Sequence, residues 1–342
     1  MEWIYTDAPA IYGRRMGYSD ETSASEARGL QRERRDLEVQ RCAAAEDVCG
    51  RQVACVFALT TALALMGLDW TPLTTGVTRR RLRPEYLQVV VGPSDLKPED
   101  RIASKRHGRV YGRFSVTYFK SGIPLKTIEV APGVTCTSCA FTWLMFAQWL
   151  DLEELVKLGD AMMRRYTLHE MMTIQDFVDF LDWVDEYARR NHRYAPRGIM
   201  KCRKALPLMA QGTDSVAETM LRLILIRYGL PIPCVNYQLV LRDGSLVFLD
   251  LAYPEAKIDI EYDGRHHRYQ WARDAQRTMK IRAEGWEYFQ VTSEMLSDDE
   301  QMFMVVVLVA RCLKERTGKD YLLPQPLTLE QAADQRRAVW HG

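Results

Sequence analysis

The sequence predicts a mixed α/β (α+β) chain in two parts, an N-terminal α/β half and a C-terminal αβββαβ unit. Three observations predict it. At 342 residues the chain exceeds one typical domain. Its hydrophobic content of 47% is enough for a sizeable core. Segments of helical and of strand period follow one another with Gly and Pro between them. The expected divisions are a charged helical extension over 1–50, an α/β domain over 51–190, a linker over 191–212, a second domain over 213–320 and a tail over 321–342.

The residues from Thr22 to Cys49 are rich in Arg, Glu, Ala and Gln and read as a charged, mostly exposed helix. An apolar helix is expected over 53–66, ending at Gly67. Strand candidates follow at 87–91, 109–111 and 115–119, then helices at 138–149, 152–165 and 173–190. In the last of these Asp176, Asp179, Asp182 and Asp185 recur at helical spacing; Phe177, Phe180, Leu181 and Val184 supply an opposite buried face, so the acidic stripe reads as a wet one. The basic segment 191–211, with Pro196 and Pro207, reads as a linker or a helix across the boundary. After it, Ser215 to Glu218 is a capping-box pattern that opens a helix closed by Gly229 and Pro231. Strands are expected at 234–241, 245–251 and 257–262, then a polar helix at 271–284, a strand at 286–291 and a last helix through 302–316.

Several classes are set aside. No internal repeat is present, and the densest apolar run, 302–313, stops short of a membrane span. The start of the sequence lacks the basic-then-apolar order of a signal peptide, so a cytoplasmic location is expected. The eight cysteines form no compact framework, and Cys136 and Cys139, a lone CxxC, read as buried packing residues. Net charge is +1, with basic residues clustered at 79–83, 101–113, 189–204 and 265–282; each cluster is either a solvated surface or a local basic patch. Neither a protein partner nor an oligomeric state is read from the residues.

The strand at 257–262 carries the chemistry. Alternation puts Lys257, Asp259, Glu261 and Asp263 on one face and Ile258, Ile260 and Tyr262 on the other. A strand covered on both faces should be apolar on both, and here one face holds three carboxylates. Asp250 ends the preceding strand, and pairing would bring it beside Glu261. Two such charges about 4 Å apart repel by roughly 4 kcal/mol at an effective dielectric near 20. Either one carboxyl keeps its proton or a cation sits between them. Magnesium suits such a cluster, because it takes one or two protein carboxylates and retains waters; manganese fits the same ligands.

The αβββαβ order, Glu218 in the first helix, Asp250 at a strand end and Glu261 on the next strand resemble the PD-(D/E)XK nuclease superfamily. The segment LDLAYPEAKIDIEYDGRHHR, then Asp274, Arg277 and the Gly285-Trp286 step, is similar to the branch of very-short-patch repair endonucleases. The resemblance covers about a hundred residues and implies a restriction-endonuclease-like core and a metal-dependent DNA endonuclease, active in repair or in defence against foreign DNA. It implies Asp250 and Glu261 as ligands of Mg2+ or Mn2+, with the Tyr262 carbonyl as a further one. Glu218 would orient a metal-bound water, or it serves only the capping box. Asp263 stands where the superfamily's Lys usually stands. The branch commonly shows a carboxylate there and a His shortly after, which makes His267, and behind it His266, candidates for general acid or base. Arg277 would contact phosphate or hold the carboxylates, and Asp274 would position His267 or Arg277; alternatively these two form an exposed pair on one helix. Gln238 would reach the scissile phosphate.

The stretch VTCTSCAFTWLMFAQWLDLEELVKLGDAMMRR resembles the region that precedes this nuclease domain in proteins similar to AbiEi-family antitoxins. That likeness leaves a non-catalytic DNA-binding regulator as the alternative, while RNA processing is set lower because no aromatic-rich single-strand motif is present. In either main reading the partner is DNA, no membrane is involved, and the clusters at 79–83 and 101–113 would face the duplex backbone.

Overall fold

The computed structural model describes residues 20–49, 55–69, 82–93, 109–111, 114–165, 172–263 and 271–334. The chain is mixed α/β with two mixed sheets. Helix α1 (Asp20–Cys49) leads into a six-stranded sheet of β1 (Val56–Phe57), β2 (Leu87–Val91), β3 (Arg109–Tyr111), β4 (Phe114–Lys120), β5 (Thr127–Ala131) and β6 (Val134–Thr137), in the order β3-β4-β2-β1-β6-β5. The run LQVVV of β2 is buried at every position, as a strand covered on both faces must be. Its one polar residue, Gln88, has its side-chain carbonyl satisfied by the Thr60 amide at 2.8 Å and the Thr60 hydroxyl at 2.9 Å.

Helices α2 (Leu59–Leu65), α3 (Cys139–Phe146), α4 (Leu152–Met162) and α5 (Ile174–Arg190) pack with this sheet around one core. Asp151 with Glu154 caps α4 and Thr173 with Asp176 caps α5, each through a reciprocal capping box. The expected helix over 53–66 is shorter than its apolar run, because Val56 and Phe57 are drawn into the sheet centre between β2 and β6. The acidic stripe of α5 is a surface face: Arg203 pairs with Asp182 and Asp185. Cys136 and Cys139 are buried thiols, and burial pushes Cys136 up to about 12. The segment 191–211 is not a bare linker. Helix α6 (Ile199–Ala205) lies within it and buries Ile199, Cys202 and Ala205 in the N-terminal core.

The second sheet has the order β10-β9-β8-β7. Helix α7 (Val216–Arg227) precedes β7 (Cys234–Val240), β8 (Leu246–Tyr253) and β9 (Ile258–Asp263); then come α8 (Trp271–Ala283), β10 (Glu287–Thr292), α9 (Ser293–Leu296) and α10 (Asp299–Thr317). β7, β8 and β9 are antiparallel neighbours, and β10 lies parallel to β9. Leu251, Ile258 and Ile260 pack with Leu221 and Leu225 of α7 and Val306 of α10. On the other side Ala252 packs with Ile281 of α8 and Trp286. Lys257 is not part of the strand face: its φ of 48° turns the chain into β9 and its ammonium donates to the Glu284 carbonyl at 3.1 Å. The expected tail over 321–342 is partly docked, since Leu323 donates to the Tyr228 carbonyl, Leu327 to that of Arg227, and α11 (Leu329–Ala332) reaches the N-terminal core.

The two halves are joined by a buried ion pair. Asp160 on α4 accepts from Arg222 on α7 at 2.6 Å, and each side chain is 1% exposed. The hydroxyl of Thr219 and the amide of Ala210 complete the Asp160 carboxylate, while Arg222 also donates to the Leu208 carbonyl. Among the described residues no helix is long and apolar enough to cross a membrane.

Candidate functional site

The β8–β9 ladder pairs Tyr253 with Ile258, Ala252 with Asp259 and Leu251 with Ile260, and then stops. The next positions along the same register are Asp250 and Glu261. There the backbone groups turn to side chains. The amide of Tyr262 donates to Asp250 Oδ2 at 3.0 Å, and the carbonyl of Phe248 accepts from Arg277 Nη2. The same Arg277 nitrogen donates to Glu261 Oε1 at 2.8 Å. Backbone donors and acceptors inside a sheet must find partners. Asp250 and Arg277 supply them, and so hold the two strands apart where the carboxylates stand.

This opening gathers three carboxyl groups around one guanidinium. Asp250 is half-buried, Glu261 is buried, and Asp259, on the same face of β9 as Glu261, is 0% exposed. Burial raises the Asp250 carboxyl well above the ordinary range, and the charges of Glu261 and then Glu218 push it further; the Tyr262 amide and Arg277 pull it back. Asp259 is pushed up to about 9, by burial first and Glu261 second. Burial works against the charge of Arg277, but Glu261, Asp259 and Asp250 outweigh it and hold the guanidinium protonated.

The other residues singled out from sequence are placed as follows. Glu218 is buried at the start of α7, where it accepts from the Asp214 amide at 2.9 Å while its own amide donates to Ser215 Oγ. It thus serves the helix start and also lies close enough to Asp250 to raise its pKa. Asp263, at the exposed end of β9, accepts from Gln290 at 2.7 Å. Gln238 is exposed on β7 opposite Phe248. Asp274 falls on α8 one turn before Arg277, and its side chain lies outside the described residues. His266 and His267 lie outside them too, as do most of the basic clusters 79–83 and 101–113.

Sequence reasoning passed over Asp259 as a site residue and the two arginines that follow α4. Both Asp259 oxygens are buried with no hydrogen-bond partner among the described residues. The strand alternation was the signal, because it sets Asp259 on the face of Glu261. Arg165 pairs with Asp214 and holds its guanidinium carbon 4.8 Å from the centre of the Phe248 ring. Arg164 has a buried Nε with no hydrogen-bond partner among the described residues; burial lowers its pKa, and Glu218 is foremost among the carboxylates that restore it. The N-terminal half thus sends two guanidinium groups to the edge of the carboxylate cluster.

Among the described residues no group of three or more His, Cys, Asp or Glu side chains is gathered closely enough to hold a metal ion. Two carboxylates from adjacent strands, Asp250 and Glu261, are a donor set that suits a hard divalent cation completed by water. The unpartnered oxygens of Asp259, and three carboxylates set against the one guanidinium of Arg277, fit a positive charge at this opening.

No family model and no solved structure matches the chain. It is similar to proteins described as uncharacterised in two strains of Mycobacterium tuberculosis, each 30% identical over 93 residues, which is 26% of this chain. The match spans 34% of the length of each relative.

Proposed function

We propose that the chain is a divalent-metal-dependent nuclease that hydrolyses phosphodiester bonds in DNA. Its C-terminal half would be a restriction-endonuclease-like core of the PD-(D/E)XK type, in the branch similar to very-short-patch repair endonucleases. The observation that carries this reading is the juncture of Asp250 and Glu261 where the β8–β9 ladder opens. Asp250 and Glu261 would hold Mg2+ or Mn2+, with the Tyr262 carbonyl beside them. The bound ion would polarise the phosphate and lower the pKa of its water. Arg277 fixes the position of Glu261. Glu218 would orient the attacking water, and His267 or His266 would carry a proton. Supercoiled DNA incubated with the protein and Mg2+ or Mn2+ should be nicked, and Asp250→Ala and Glu261→Ala should each abolish nicking in a folded protein. Intact DNA with every divalent ion tried would overturn the reading.

One observation favours a second reading, a DNA-binding regulator with lapsed catalysis. At the position of the superfamily's Lys stands Asp263, tied to Gln290. Binding that persists in chelator without any cleavage would select it.

A further inference from the structure

Helix α10 has two apolar sides. Met302, Val305, Val306, Val309 and Leu313 are buried against the sheet and α7. On the opposite side Phe303 is 41% exposed, Met304 59% and Leu308 45%, with Val307 half-buried between them. The outer face of a helix on a globular domain is ordinarily charged, and a cluster of large apolar side chains there marks an interaction surface. Glu300 and Arg311, both exposed, close the cluster at its two ends. Helical spacing puts Glu300, Met304, Val307 and Arg311 in one row, with Phe303 and Leu308 on its flanks.

We propose that α10 packs antiparallel against α10 of a second copy of this chain, through Phe303, Met304, Val307 and Leu308, to form a twofold-symmetric dimer. The charges select this occupant. With the axis beside the helix midpoint, Glu300 of each copy falls opposite Arg311 of the other, and Met304 falls opposite Val307. A parallel pairing would instead stack Glu300 on Glu300 and Arg311 on Arg311. One patch that complements itself under a twofold operation is what an isologous dimer requires. Arg311 has a partner in its own helix, Glu315, at 2.9 Å, but both side chains are largely in water. Such a pair contributes little and is readily exchanged. Phe303 is held by the ring of Tyr228 at 5.5 Å, so one anchor is set before the copies meet.

Sedimentation velocity on the full chain, without DNA or metal, tests the proposal. A reversible monomer–dimer equilibrium is expected. Met304→Glu and Leu308→Glu should each raise the dimer Kd at least tenfold, with a melting temperature unchanged at concentrations where both proteins are monomeric, since both positions face solvent in the single chain. Glu300→Arg and Arg311→Glu should each weaken the dimer, and the two together should restore it. A chain that stays monomeric up to the hundred-micromolar range overturns the proposal, as does a dimer indifferent to Met304→Glu. Failure of the charge exchange to restore association overturns the antiparallel register.

Discussion

Arg277 Nη2 donates to Glu261 Oε1 at 2.8 Å and also to the carbonyl of Phe248, so one nitrogen bridges the two strands at the point where their ladder ends. The guanidinium acts both as a hydrogen-bond donor to the opened sheet and as the counter-charge of Glu261, Asp259 and Asp250.

Removing that charge should be costly. Arg277→Met is expected to lower unfolding free energy by about 1–2 kcal/mol, less than a fully buried pair would lose, because the Arg277 side chain is 32% exposed. Urea unfolding in chelator at about pH 8 measures it. An unchanged midpoint would show that Arg277 does not hold the strands.

Asp259 sets a pH dependence. Its folded value, about 9, lies above that of an unfolded aspartate, so protonation favours the fold. This contribution is complete below about pH 4 and is lost as pH rises through about 9. Asp259→Asn, which removes the buried ionisable group, should therefore stabilise the chain in chelator by about 2 kcal/mol at high pH. It should change little in acid. A variant less stable than the parent at high pH would contradict the assignment.

Some of this is written plainly in the residues and some is not. The alternation Ile258, Asp259, Ile260, Glu261 specifies a strand with one apolar and one acidic face, because a period of two is local chemistry. Partnership across distance is not local. By spacing alone Arg277 reads as a helix-surface neighbour of Asp274, and only the family resemblance offers it as a holder of the carboxylates; it spans 16 residues to Glu261 and 29 to Phe248. Asp160 and Arg222 stand on apolar helices, and only their meeting across 62 residues lets both be buried. The segment 191–211, with its prolines and basic residues, reads as either a linker or a helix across the boundary, and the spacing of Ile199, Cys202 and Ala205 packs one side of α6 into the core.

The Asp160–Arg222 pair should behave as a unit. Asp160→Ala or Arg222→Ala alone is expected to cost about 3–5 kcal/mol, because the remaining charge is buried without its partner. The double variant Asp160→Leu with Arg222→Met should cost less than the sum of the single ones. Additive losses in chemical denaturation would show that the two groups are not coupled.

Glu218 has two roles that one pair of substitutions can separate. Glu218→Gln keeps an acceptor for the Asp214 amide and should cost about 1 kcal/mol less stability than Glu218→Ala, which loses that acceptor; both lose the counter-charge of Arg164. If the carboxylate also orients the attacking water, both variants should lose DNA nicking. Full activity in the Gln variant would confine Glu218 to the helix start.

The central claim is that Asp250 and Glu261 together hold one divalent cation, and calorimetric titration of Mn2+ into the full chain tests it most directly. One site is expected in the parent protein, with binding lost in Asp250→Asn and in Glu261→Gln while both remain folded. Mn2+ uptake that is absent from the parent, or that survives both substitutions unchanged, would contradict it.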